Sequence, residues 1–323
     1  MRILITGGAG FIGSHLVEAL LAKNNEIVVL DNLSSGQINN IKQYFGVPSF
    51  RFFEGDVKRY HEWNTLFEGV GLVYHLAANP EVRLGEVDPE IHFDENLLAT
   101  FRLLEAMRKS HAKIIVFSST STVYGEASVQ PTPEEYGPHM PISTYGATKL
   151  GSEALVSSYC YTFNLRGLIL RLGNTVGSRA RHGVVPDFIS KLRSSPNALE
   201  ILGDGNQRKS YVHISDCVEA MLLLTDRFLS SSKRFDIYNV SSPDQVTVRR
   251  IAEIVVEEMD RRGTRLEFTG GVEGGRGWPG DVKTMYLSIE KLADLGWKPR
   301  YTSEEAIRLA TRELLAEAKL SRR

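Results

Sequence analysis

Short apolar, β-rich runs alternate with helical patterns through the first half of the chain. The runs cover residues 3–6, 27–31, 50–54, 72–75, 114–118 and 168–171. They lack polar alternation, which predicts strands covered on both faces, as in a parallel sheet flanked by helices. Strand and helix alternating over about 170 residues predict a doubly wound α/β domain.

The second half changes character. Residues 173–211 are rich in Gly, Arg, Pro and Ser, with one helical pattern near 186–193. Helices are predicted over 215–227, over 247–261 with Thr247 at its start, and over 303–320 with Ser303 as cap and Glu304 and Glu305 in the first turn. Residues 236–240 read as a strand that rejoins the sheet, and 270–280 as a loop with six glycines in eleven residues. The expected organisation is a nucleotide-binding domain from 1–172 plus about 212–240, and a smaller interleaved C-terminal substrate lobe from about 173–211 plus 241–323. The tail 321–323 is expected to fray.

At 323 residues the chain has room for two lobes. Its net charge of −1 offers no global attraction to nucleic acid or to anionic membranes, so an anionic ligand needs a local basic pocket. No run approaches the roughly 18 apolar residues that span a bilayer. The N-terminus runs straight into a glycine turn rather than a signal peptide, which points to a cytoplasmic protein. Cys160 and Cys217 read as two buried free thiols rather than a bridge. His15, His61, His92, His111 and His213 have no metal-ligand spacing with Cys or acids, so no metal is assigned.

The first predicted strand ends in Gly7-x-x-Gly10-x-x-Gly13 and opens a helix. The next strand ends at Asp31, 18 residues past Gly13. This is the context of a dinucleotide site. Gly7 permits the turn, Gly10 lets a pyrophosphate approach the backbone, and Gly13 lets the helix sit close to the sheet. The alternative, a tight strand–helix turn with no ligand, leaves the Asp31 spacing without a purpose. Asp31 can accept from ribose hydroxyls and repels a 2′-phosphate, which favours NAD over NADP. Asp56, ending the third strand, suits the adenine amine or an ordinary solvated loop. The small residues of His75-Leu76-Ala77-Ala78 suit a cofactor or plain close packing equally.

Tyr145 and Lys149 stand four apart and share a face of a predicted helix. An ammonium beside a phenol stabilises phenolate and so moves the Tyr toward general-base range. Alone this pair is a common coincidence. It gains weight from Ser118-Ser119-Thr120 at the carboxyl end of a buried strand, where open α/β sheets bind ligands. Thr120 is placed to bond a substrate oxygen and relay its proton to Tyr145.

With these residues assembled, the chain resembles the extended short-chain dehydrogenase/reductase family over essentially its whole length. Within it, the chain is similar to the NAD-dependent nucleotide-sugar epimerase/dehydratase group and its archaeal-type galactose epimerase branch. The resemblance implies a Rossmann-type sheet that holds NAD through Gly7, Gly10, Phe11, Ile12, Gly13, Asp31, Asn32, Asp56, Val57, Leu76, Ala77, Ala78, Asn96, Ser118, Tyr145, Lys149 and Leu172. It implies catalysis by Thr120, Tyr145 and Lys149. It also implies a UDP-sugar substrate contacted by Thr120, Asn174, Val184, Val185, Lys209, Tyr211, Arg276 and Asp281. Two departures bear on the diphosphate. Lys209 stands where the family usually has Arg, and Trp278 opens what is usually Arg-Pro-Gly-Asp, with Arg276 as the stand-in. An ammonium and a guanidinium fork do not bind phosphate alike.

The implied reaction is 4-epimerisation of a UDP-hexose (UDP-glucose/UDP-galactose) through a transient 4-keto sugar, with Tyr145 as general base. Family dehydratases carry Asp-Glu after the threonine, and UDP-xylose-forming decarboxylases carry Glu at the second of those positions. Here they are Ser121 and Thr122, so both reactions lose ground. UDP-glucuronate is an alternative substrate, since Arg179, Arg181 and His182 suit a C6 carboxylate as well as a diphosphate or plain solvent. UDP-N-acetylhexosamine is another, because Met285 at the gating position does not decide. The resemblance implies a homodimer formed through helices near 94–109 and 145–163. The apolar stripe Leu97, Phe101 and Leu104 suits a dimer or core packing equally.

Overall fold

The computed structural model describes residues 1–320; the tail 321–323 lies outside the described residues. Strands β1 (Arg2–Thr6), β2 (Glu26–Asp31), β3 (Phe50–Glu54), β4 (Val70–His75), β5 (Ile114–Thr120) and β6 (Arg166–Leu172) join Phe235–Val240 in one seven-stranded sheet. Its order is Phe235–Val240, β6, β5, β4, β1, β2, β3. The pairs β1–β2, β1–β4, β2–β3 and β4–β5 are parallel, with Ile3 opposite both Ile27 and Leu72. Connections run outward from β1 to β3, then return to β4 on the other side of β1. That reversal makes the carboxyl ends of β1 and β4 the topological switch point, where ligands bind in such sheets. The apolar runs explain the burial: Ile3, Leu4, Ile5, Val28, Val29 and Leu30 are nearly inaccessible. β3, at the edge, is only half-buried over 51–53.

Two compact units are present. The first comprises Met1–Thr120, Thr144–Arg171 and Val218–Tyr238. The second comprises Ser121–Ser143, Leu172–Cys217 and, among the described residues, 239–320. This differs from the sequence expectation at Ser121–Ser143, which packs with the second unit. Thr132 donates its N–H to the Tyr286 carbonyl at 2.7 Å and accepts from Ser288 N–H at 2.9 Å. Tyr124 donates to Asn239 at 2.8 Å.

The second unit has its own core. Helix Val184–Ser194 contributes Val185, Phe188, Ile189 and Leu192, an i, i+3, i+4, i+7 stripe. Helix Val248–Glu258 contributes Ile251, Ile254 and Val255, and Ser303–Leu320 contributes Ala306, Ile307 and Ala310. Thr247 caps its helix by accepting Arg250 N–H at 3.1 Å. The last helix is capped differently from expectation. Thr302 Oγ1 accepts Glu305 N–H at 3.3 Å, and Glu305 accepts Thr302 N–H at 2.9 Å, a reciprocal capping box. Ser303 is buried and accepts Tyr211 N–H at 3.0 Å instead. Short pairings bring the loops into register: Arg208–Lys209 lies between Val246–Thr247 and Thr284–Met285.

Candidate functional site

The first unit builds a cradle at the switch point. Gly7 adopts φ +74°, and a Cβ there would lie 2.7 Å from the Ala77 nitrogen. A Cβ on Gly13 would lie 2.1 Å from the Gly7 oxygen, so helix Phe11–Ala22 reaches the turn only through glycine. Gly10 differs: a Cβ there would meet only the Gly7 oxygen, at 3.1 Å. Gly10 is also the N-cap and caps with no side chain, leaving the Phe11 and Ile12 end of the helix to an external anion. These are the requirements of a pyrophosphate, and the residues fit NAD.

Asp31 is 6% exposed and organises the adjoining loop. Its Oδ2 accepts Ala9 N–H at 2.9 Å and its Oδ1 accepts Leu33 N–H at 2.8 Å. Burial raises its pKa, and those two N–H donors oppose the rise. Each oxygen keeps a lone pair for a ribose hydroxyl. Asn32 spends its side-chain oxygen on Ser34 N–H at 3.1 Å. Asp56 accepts Lys58 N–H at 2.9 Å and lies 3.6 Å from the Lys58 ammonium. Val57 is buried in the core, which leaves only its main chain for a cofactor. Leu76, Ala77 and Ala78 are half-buried beside the turn, Ser118 donates to the His75 carbonyl at 3.2 Å, and Leu172 closes β6 as a buried side chain. Asn96 lies in a wide helical turn, Phe93–Leu98. Its Oδ1 accepts Asn79 N–H at 2.9 Å and its Nδ2 donates to Thr148 at 3.3 Å, so it ties loops to helix Thr144–Thr162.

Tyr145 and Lys149 both lie on helix Thr144–Thr162, one turn apart, and Thr120 ends β5. The Thr120 hydroxyl hydrogen-bonds the Tyr145 phenol. Burial pushes that phenol up to about 12, and Thr120 opposes the rise. The expected lowering by Lys149 is not what governs Tyr145 here. The lysine is itself buried, at 3% exposure, with Nζ 4.4 Å from the Phe117 ring centre. Burial pulls its ammonium down to about 7, against the Glu153 carboxylate.

Three further groups emerge from the folded structure. His92 sets its ring edge-on to Tyr145 at 5.6 Å and pairs with Thr144 at 3.0 Å. Arg171 grips Glu153 in a buried fork, Nε to Oε1 at 3.0 Å and Nη2 to Oε2 at 2.7 Å. Ser119, next to Thr120, donates to the same carboxylate. Glu153 was signalled by its spacing, one helical turn beyond Lys149 on the Tyr145 face; Arg171 was signalled only as a charge ending an apolar strand.

In the second unit the expected substrate residues divide. Lys209 Nζ lies 2.6 Å from Asp281 and 5.7 Å from the Trp278 ring centre. Asp281 is 3% exposed and its other oxygen accepts Gly277 N–H at 3.1 Å, so it orients Lys209 rather than presenting itself to a ligand. Arg276 pairs with Glu126 and donates to the Asp281 carbonyl at 2.7 Å. Asn174 donates to the Ser210 carbonyl at 3.3 Å and stays half-buried. Val184 is half-buried, but the Val185 side chain is turned into the core by the helical stripe, as is Tyr211 by its short strand. Burial raises the Tyr211 phenol's pKa. Neither of these two side chains offers a ligand contact. The basic loop is anchored from the C-terminal helix: Glu313 accepts Ser178 N–H at 2.7 Å and Glu317 accepts Arg179 N–H at 3.1 Å.

Among the described residues no His, Cys, Asp and Glu cluster could hold a metal ion, and no helix is long and apolar enough to cross a membrane.

The NAD dependent epimerase/dehydratase family model matches residues 3–241. A putative UDP-glucose 4-epimerase of Methanocaldococcus jannaschii is 33% identical, over 95% of this chain and 96% of that protein. A crystal structure of a UDP-galactose 4-epimerase superposes with TM-score 0.87 at 44% identity, over 98% of this chain and 99% of that one. A UDP-glucuronic acid 4-epimerase from Bacillus cereus, solved with UDP-glucuronic acid and NAD, gives TM-score 0.86 at 27% identity, over 98% and 100%. With a dinucleotide cradle at the switch point and a Thr–Tyr–Lys group beside it, the chain belongs to the NAD-dependent epimerase/dehydratase family.

Proposed function

We propose that the protein interconverts UDP-glucose and UDP-galactose at sugar C4 through a transient 4-keto sugar. The observation that carries this reading is the Thr120–Tyr145 hydrogen bond beside buried Lys149, at the carboxyl end of the parallel sheet. NAD, when bound, supplies the hydride acceptor and donor. The chain does the rest. Tyr145 takes the proton from the C4 hydroxyl, directly or through Thr120, and returns it in the second half of the reaction. Lys149 holds a ribose hydroxyl and, as ammonium, stabilises the phenolate. In the second unit, Lys209, Arg276 and Asn174 hold the diphosphate, and Val184 packs on the base. Epimerisation requires no acid beyond these, which agrees with Ser121 and Thr122 following Thr120.

UDP-glucuronate is the second reading, favoured by Arg179 in a loop fixed by Glu313 and Glu317, and by the likeness to the Bacillus cereus enzyme. UDP-N-acetylhexosamine is the third. We also infer a homodimer through Phe93–Leu98, Ala99–Lys109 and Thr144–Thr162, supported by exposed Phe93 and Tyr161; a monomer by light scattering removes it.

The test is NMR of purified protein with UDP-galactose and no added cofactor. UDP-glucose should appear and reach equilibrium, and Tyr145→Phe should abolish the conversion. No conversion with NAD supplied, but turnover of UDP-glucuronate, would transfer the assignment to the uronate.

A further inference from the structure

His75 ends β4 with its ring fully buried, and both ring nitrogens are bonded. Nδ1 lies 2.7 Å from Thr6 Oγ1 and Nε2 lies 3.0 Å from Thr100 Oγ1. The neighbours decide the tautomer. Thr100 spends its single proton on the Asn96 carbonyl, at 2.6 Å, so it accepts from His75. Nε2 therefore carries the hydrogen. Nδ1 is then the acceptor and takes the Thr6 proton, while Thr6 Oγ1 accepts Ala77 N–H at 3.4 Å.

The chain continues at both ends. Ala77's amide is the atom against which a side chain on Gly7 would collide, so one end touches the glycine turn. At the other end, Asn96 Nδ2 donates to Thr148, and Thr148 donates to the carbonyls of Thr144 and Tyr145, at 2.9 and 3.0 Å. Ser152 shares its proton between the Thr148 carbonyl at 2.9 Å and the Asn96 carbonyl at 3.2 Å. Every hydroxyl in this path has its one proton committed, so the polarity runs one way from Ala77 to the Tyr145 main chain. Thr6, His75, Asn96 and Thr100 are all at most 1% exposed, where an unmade bond is costly.

We propose that His75, held as the Nε2–H tautomer, is a positioning residue that sets the spacing between the phosphate-binding turn and the helix carrying Tyr145 and Lys149. It touches neither ligand and acts through Ala77 on one side and Thr100–Asn96–Thr148 on the other. The effect on turnover rests on the catalytic reading above; the tautomer and the effect on NAD do not.

The direct test is nitrogen-15 NMR of histidine-labelled protein, with the His75 signal assigned by its change in Thr100→Val. The expected result is a protonated Nε2 that stays neutral from pH 5 to 8. Thr6→Val and Thr100→Val should each weaken NAD binding and kcat by about tenfold, the worth of one buried hydrogen bond, with KM for UDP-galactose within twofold. The double variant should lose about as much as one single, because either break opens the same path. Thr6→Ser and Thr100→Ser should restore the wild-type values. A proton on Nδ1 overturns the proposal. So do Val variants that melt earlier yet bind NAD normally, and so do losses that multiply in the double variant. If the wild-type protein turns over no UDP-hexose, the functional reading fails, while the tautomer and NAD binding still decide this one.

Discussion

Arg171 is the largest fully buried side chain among the described residues, and Glu153 pairs with it. Their side chains are 2% and 5% exposed, so solvent screens the pair little. Arg171→Met leaves a buried carboxylate with only the Ser119 hydroxyl and the charge of Lys149 to offset it. Breaking one side of such a pair costs about 3–5 kcal/mol. Glu153→Met removes the carboxylate that the buried guanidinium grips, at a similar cost. The double variant strands neither charge; it loses mainly the Ser119 acceptor, about 1–3 kcal/mol. It should therefore recover about 2 kcal/mol relative to either single variant. The assay is urea unfolding followed by far-UV circular dichroism and by tryptophan fluorescence. Trp63 reports on the first unit, and Trp278 and Trp297 on the second. Coincident transitions would license the free energies. A single variant costing under about 1 kcal/mol, or a double variant costing the sum of the singles, would refute the view that the pair is held together by mutual compensation.

Gly13→Ala should not yield folded protein at normal levels, since its Cβ would sit 2.1 Å from the Gly7 oxygen; Gly10→Ala should fold normally in a thermal melt yet bind NAD at least about tenfold more weakly by titration. Burial holds the His75 imidazole down to about 3, against 6.5 when unfolded. Below pH 6.5 the unfolded chain takes up a proton that the folded protein refuses, so stability is complete above that pH and falls toward pH 3. His75→Gln should flatten this fall by about 2 kcal/mol between pH 7 and 5, measured by urea titration at each pH, and an unchanged slope would remove the assignment. Thr302→Ala should cost about 1 kcal/mol by thermal melting through loss of the capping box.

The strands and the glycine turn were legible because their signals are local. An unalternating apolar run predicts a doubly covered strand, and Gly7, Gly10 and Gly13 sit within one seven-residue stretch. The capping box was equally legible, since Thr302 precedes Glu305 by three residues; choosing Ser303 overlooked that spacing. What the sequence hid depends on partners far away along the chain. Lys209 and Asp281 are 72 residues apart, and Arg276 and Glu126 are 150 apart. No periodicity announces which acid will meet which base. Ser121–Ser143 reads as a continuation of the first unit until Thr132 finds Tyr286 and Ser288. Val185 was readable as core from its own helical stripe, whereas a family match at that position suggested a ligand contact.

Burial acts on Tyr145 and Lys149 in opposite senses and drives both toward neutrality, with the phenol up to about 12 and the ammonium down to about 7. Forming phenolate at pH 7 from that starting point costs about 7 kcal/mol. A nearby ammonium offers about 1–3 pKa units, roughly 1–4 kcal/mol, and Lys149 offers it only while charged. Glu153 favours that charge, and burial opposes it. The protein's own side chains therefore favour the neutral Tyr145 phenol near neutral pH. Tyr145 has to be phenolate before it can take the C4 proton, so further positive charge is needed, which oxidised NAD would supply if bound here, and Thr120 would bridge to the sugar hydroxyl. The difference absorbance between wild type and Tyr145→Phe, without ligands, should show no tyrosinate at pH 8. A tyrosinate signal there would mean that Lys149 stays charged and stabilises the phenolate without any ligand.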